Sequence, residues 1–176
     1  GYFTVEAAVL SQNKKMPLPV YEKVFSAAEK GFISATHENL QCLKSLSAHF
    51  SKNCVRTLDR GFDANDYYRY FLKNDEKFVI RSKKNRNVIY NGKTQNIMDV
   101  AGNYKGNYRM DFKDKHGKKI ECKISYIPVQ LCEFPNKTLV LVAVYGFGAQ
   151  PMLLLTNLDL SEKKKLCMIA TKVYLM

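Results

Sequence analysis

A chain of 176 residues that is 46% apolar and 25% charged has the size and balance of one globular domain, or one domain with a large insertion. No window approaches roughly 18 uninterrupted apolar residues, so no membrane-spanning helix is expected. With 28 Lys and Arg against 16 Asp and Glu, the net charge is +12, a balance that turns attention to polyanionic partners.

The opening Gly1-Tyr2-Phe3 has neither Met nor the basic start of a signal peptide and reads as part of a longer protein. Residues 2–10 are apolar enough for a largely buried strand. Ser11–Lys15 is a polar turn, and Leu18–Phe25 is a second strand whose prolines suit a strand start or an edge. A helix over about 35–51 follows, capped by Ser34 or Thr36, with Leu40, Leu43, Leu46 and Phe50 at helical spacing. Cys54–Leu58 is a short strand that ends at Asp59, inside the run Leu58-Asp59-Arg60-Gly61-Phe62-Asp63. An acid at the carboxyl end of a strand often faces a cleft, and the following glycine permits a sharp turn.

Asp63 resembles an N-cap, with Asp66 at the capping-box position, for a helix through Asn74 that shows Tyr67, Tyr68, Phe71 and Leu72 on one face. Lys77–Arg81 is the next strand. The order so far, strand, strand, helix, strand, helix, strand, predicts a mixed α/β sheet. Beyond Arg81 the signals are those of hairpins: Asn91-Gly92, then His116-Gly117 between 110–112 and 120–124. Leu139–Tyr145 and Met152–Thr156 read as strands joined by a glycine turn. Ser161 would cap a final helix bearing Leu166, Ile169, Ala170 and Val173 inward.

Five cysteines without a CxxC pair and three histidines complete no zinc spacing. Gly146-Phe147-Gly148 lacks the third glycine and the following helix of a dinucleotide fingerprint, and reads as a hairpin turn. Lys163-Lys164-Lys165 reads as a solvated helix face. Between 77 and 137 stand 14 Lys or Arg against five acids, a net of +9 in one stretch. Such an excess fits a phosphate-backbone binder, and tyrosines among the cations near 81–109 could stack on unpaired bases; a solubilising surface would show the same composition.

Leu58-Asp59-Arg60-Gly61-Phe62, the Tyr70-Phe71-Leu72 helix and Lys77-Phe78-Val79-Ile80-Arg81 together resemble the DDE transposases of bacterial insertion sequences. The nearest likeness is to the cut-and-paste group with a β-rich insertion in its catalytic domain. Gly1-Tyr2, Pro17-Leu18-Pro19, Phe32-Ile33-Ser34 and Met152–Asn157 extend the resemblance through most of the chain. It implies an α/β, ribonuclease-H-like mixed sheet interrupted by an antiparallel β insertion. The partition would be a partial core over 1–81, a basic insertion over 82–157 and the start of a catalytic helix region over 158–176.

It also implies chemistry in which three acids hold two divalent ions, Mg2+ or Mn2+, for phosphodiester hydrolysis and strand transfer. Asp59 matches the second acid and metal ligand, and Arg60 the arginine beside it. Arg81, Lys83, Lys84 and Arg86 follow the neighbouring strand and are expected on DNA. The first acid would precede Gly1. Tyr174-Leu175-Met176 matches only the beginning of the Tyr-x-x-Arg-x-x-x-Glu signature that carries the third. The expectation is therefore an inactive central fragment of a cytoplasmic, nucleoid-associated protein that acts on double-stranded DNA as a homodimer. The alternative is a noncatalytic basic nucleic-acid-binding module left by a decayed or domesticated element, with a metal-dependent nuclease of the same fold as a third reading.

Overall fold

The computed structural model describes residues 1–10, 17–113 and 119–159, without the side chains of Phe112 and Lys113. The turn at 11–15, the His116-Gly117 turn, Lys163–Lys165 and the final helix from Ser161 lie outside the described residues. The chain forms two compact units, Gly1–Lys52 and Asn53–Met176. Among the described residues it is mixed α/β with a mostly sheet core, eight strands in one mixed sheet and three α-helices.

In the first unit β1 (Tyr2–Val9) and β2 (Leu18–Ser26) pair antiparallel as a two-stranded sheet. α1 (Ala35–His49) starts where Ser34 accepts a hydrogen bond from the His37 amide at 3.0 Å, satisfying an orphan donor of the first turn. Val5 and Phe25 pack on Cys42 of α1, and Phe25 stacks between Phe3 and Phe32 at 5.8 and 5.9 Å. The expectation of a largely buried first strand is corrected. Only Val5 of β1 is buried, while Tyr2, Phe3 and, on β2, Val24 are exposed. Period-2 alternation sends half of each strand to either face, and among the described residues of this unit α1 covers one face alone.

The second unit is built on a sheet ordered β3-β4-β10-β9-β8-β5-β6, with β7 also paired to β8. Its strands are β3 (Arg56–Leu58), β4 (Phe78–Arg81), β5 (Asn87–Tyr90), β6 (Lys93–Asn96), β7 (Tyr108–Lys113), β8 (Lys119–Leu131), β9 (Phe134–Tyr145) and β10 (Met152–Thr156). Among the described strands only β3 and β4 run parallel, and α2 (Asn65–Asn74) connects them, as a parallel pair requires a crossover. β4 and β10 are hydrogen-bonded neighbours, so the sheet runs on across position 81/82 without a break.

Residues 78–80 of β4, 139–144 of β9 and 152–155 of β10 read as continuous apolar runs because both of their faces are covered. On one face Tyr68 and Phe71 of α2 meet Phe78, with ring centroids 5.7 and 5.3 Å apart. On the other, Val79, Val140, Val142, Val144 and Leu154 join Cys122 and Ile124. Burying one such Phe stabilises by about 1.5–3 kcal/mol. Beyond β10 the Asn157 side chain accepts from the Phe78 amide at 3.0 Å and donates to the Glu76 carbonyl at 2.9 Å, which ties the entry of β4 to the exit of β10.

Local chemistry explains the turns. Asn91 and Gly92 both hold positive φ, 49° and 72°, as the tight turn between β5 and β6 demands. Gly146 ends β9 at φ 115°, where a Cβ would stand 2.6 Å from the Glu121 carbonyl oxygen. Pro128 is tolerated in the long β8 because it falls between the stretch paired with β7 (119–124) and that paired with β5 (130–131). A six-residue helix, α3 (Ile97–Gly102), capped by Asn96 through the Met98 amide at 2.8 Å, was not expected.

Candidate nucleic-acid interface

The paired run of β3 and β4 ends at Leu58 opposite Ile80. The next residue of each strand is charged, Asp59 on one and Arg81 on the other. They emerge at the same, carboxyl, end of two adjacent parallel strands, where open sheets offer crevices to ligands. Asp59 is exposed and extended, and its carboxylate accepts the Arg60 amide to open a single 3-10 turn, Arg60–Phe62. That turn leaves Arg60 exposed and lays the Phe62 ring 5.0 Å from Tyr67.

After β4 the loop 82–86 carries Lys83 and Lys84, both exposed, with the Lys84 ammonium donating to the Gln150 amide oxygen. The structure thus brings Asp59, Arg60, Arg81, Lys83 and Lys84 to one end of the sheet as solvent-facing charges at the carboxyl ends of β3 and β4.

Asp63 and Arg86 do otherwise than the sequence suggests. Asp63 is not the cap of α2, whose N-cap is Ala64 with no side-chain hydrogen bond. Its side chain is fully buried, and Asp66 pairs in the open with Arg69 at 2.7 Å. Asp63 Oδ1 accepts from the Tyr68 hydroxyl at 2.6 Å and faces Arg86 Nε at 2.6 Å. Oδ2 accepts from the Ser82 hydroxyl at 3.1 Å and the Lys83 amide at 2.6 Å.

Arg86, expected on DNA, turns its guanidinium inward. Nη1 donates to Asn65 Oδ1 and Nη2 to the Asp63 carbonyl, each at 3.1 Å, and the planar group lies 5.0 Å from the Tyr68 ring centroid. The Nε contact is close but badly angled for a hydrogen bond, so its value is that of an ion pair. A buried carboxylate with a full set of donors opposite an arginine is the arrangement that makes burying both charges tolerable. Burial first, and the Asp63 charge and hydrogen bond second, push the Tyr68 phenol well above its ordinary 10.0. No local window could reveal this cluster, because Asp63 meets partners 19 to 23 residues away.

The +9 stretch is less free than its composition suggests. The register of β7 and β8 sets Arg109 opposite Lys123 and Asp111 opposite Glu121, like against like. Relief comes from the diagonals, with Lys119 at 2.7 Å from Asp111 and Arg109 at 3.9 Å from Glu121.

A two-ion site needs several ligands converging from different elements. Among the described residues no three His, Cys, Asp or Glu gather closely enough to hold a metal. Asp59 is a single carboxylate, and the fully buried Asp63 carboxylate already accepts three hydrogen bonds and pairs with Arg86. The described residues by themselves therefore do not fit a divalent-ion pair. What the strand ends can do unaided is meet phosphates, with Arg60, Arg81, Lys83 and Lys84 as donors. No helix among the described residues is long and apolar enough to cross a membrane. No protein-family model matches the chain, and no curated protein matches it.

Proposed function

We propose that the chain is the central part of a DDE transposase, a protein that cuts and joins DNA at insertion-sequence ends. The observation that carries this reading is the placement of Asp59. It stands exposed at the carboxyl end of β3, beside the parallel β4, with Arg60 next to it in the chain and Arg81, Lys83 and Lys84 at the same end of β4. Among the described residues β3 is also the outermost strand of its sheet, and β1–β2 form a separate hairpin. Both leave an open edge, as a ribonuclease-H-like sheet would if the strand bearing its first acid belonged to sequence outside these residues.

In that reading Asp59 is the second of three acids, the other two come from flanking sequence, and Mg2+ or Mn2+ is held only when all three meet. Arg60, Arg81, Lys83 and Lys84 hold double-stranded DNA, and the complete protein works as a homodimer on the DNA of a bacterial cytoplasm. The lone carboxylate favours one further reading, a basic nucleic-acid-binding module without catalysis.

The test is DNA cleavage and strand transfer by the full-length protein with Asp59→Ala, in Mg2+ or Mn2+, on terminal inverted-repeat DNA. Loss of both steps with DNA binding retained is the expected result. Undiminished cleavage would remove the catalytic assignment, and a wild-type protein that binds DNA without cutting it would leave the noncatalytic module.

A further inference from the structure

The geometry points to Asp63 as a positioning residue for DNA contact, a latch that holds the lysine loop after β4 against the Asp59 loop after β3. This inference rests on the reading that these loops meet DNA, and it deepens that reading by naming what sets their spacing.

The latch is reciprocal. From the first loop, the Asp63 carboxylate takes the Lys83 amide at 2.6 Å and the Ser82 hydroxyl at 3.1 Å, fixing the backbone from which Lys83 and Lys84 project. From the second loop, Arg86 reaches back to the Asp63 carbonyl and Asn65 Oδ1, fixing the start of α2. Tyr68 closes the knot from beneath, donating to Asp63 and presenting its ring to Arg86. Asp63 and Arg86 are turned from solvent, while Asp59, Arg60, Lys83 and Lys84 on the same two loops face it. A strap of this kind holds outward charges at a fixed separation, as successive phosphates of a duplex require.

Charge and position predict opposite signs, which makes the idea testable. Asp63→Asn removes a negative charge, so long-range electrostatics alone would tighten DNA binding. Positioning predicts weaker binding, because Lys83 and Lys84 lose their common anchor. The experiment is a double-mutant cycle on the affinity of the 176-residue chain for a duplex, followed against salt, with folding verified by thermal melting.

In the Asp63 background, Lys83→Ala/Lys84→Ala should lower the log-log salt slope by about 1.8, two contacts at about 0.9 each. In Asp63→Asn the same pair should lower it by less than half as much. Equal loss in both backgrounds, or tighter binding by Asp63→Asn alone, overturns the latch. If Asp63→Asn does not fold, Ser82→Ala takes its place in the cycle. It keeps both charges and removes one bond to Oδ2, so a smaller coupling of the same sign is expected and none would overturn the latch. A flat salt response in the unmodified chain would refute DNA binding itself, an outcome separate from these.

Discussion

Tyr68 donates to a carboxylate that has no access to water, and that bond sets how the fold responds to pH and to mutation. Its folded-state ionisation is raised, so the stability it contributes is complete below the ordinary value of 10.0. Above that pH the unfolded chain sheds the proton first, binds fewer protons than the native state, and stability falls by up to about 1.4 kcal/mol per pH unit. Tyr68→Phe should lower stability at neutral pH by about 1–3 kcal/mol, because Asp63 loses a donor in a buried site. It should also flatten the decline above pH 10; denaturant melts at pH 7, 9 and 10.5 measure both effects. At this scale the sequence was legible where chemistry is local. Ser34 caps α1, and Asn91-Gly92 makes its turn. It misled at Asp63, where the Asp-x-x-Asp spacing imitates a capping box while the real partners are Tyr68 of α2 and Ser82, Lys83 and Arg86 of the loop after β4.

α2 carries the energetics of the parallel pair. Phe71 is fully buried against Phe78 and links the crossover to β4. Phe71→Ala should cost about 3–5 kcal/mol in a chemical-denaturation series. A loss below about 1 kcal/mol would mean that α2 is not packed as described. Strong periodicity made α1 and α2 readable from sequence, and unbroken apolar runs made β9 and β10 readable. α3 was not, because six residues are under two turns and show no period. Nor was the Cys132–Glu133 turn between β8 and β9, which lacks the Asn-Gly or Asp-Gly signal.

For the molecule, the mixed α/β class followed from the order of elements, while the division at Lys52 did not. Sheet continuity is decided by pairing between strands distant in sequence, such as β4 with β10, and no local pattern records it. Charge behaved likewise. The +9 stretch is a sum over sequence, whereas the fold turns Arg86 inward and opposes Arg109 and Lys119 with acids, which leaves Arg60, Arg81, Lys83 and Lys84 as the cations gathered at the strand ends.

The proposed role in DNA transactions requires that end of the sheet to meet nucleic-acid phosphate. The direct measurement is the duplex-DNA affinity of the 176-residue chain against salt, compared with Arg81→Ala/Lys83→Ala/Lys84→Ala. A steep negative log-log slope in the unmodified chain, shallower by about 2.7 in the triple variant, is the expected result. A flat line for the unmodified chain, or the same slope for both proteins, would contradict it.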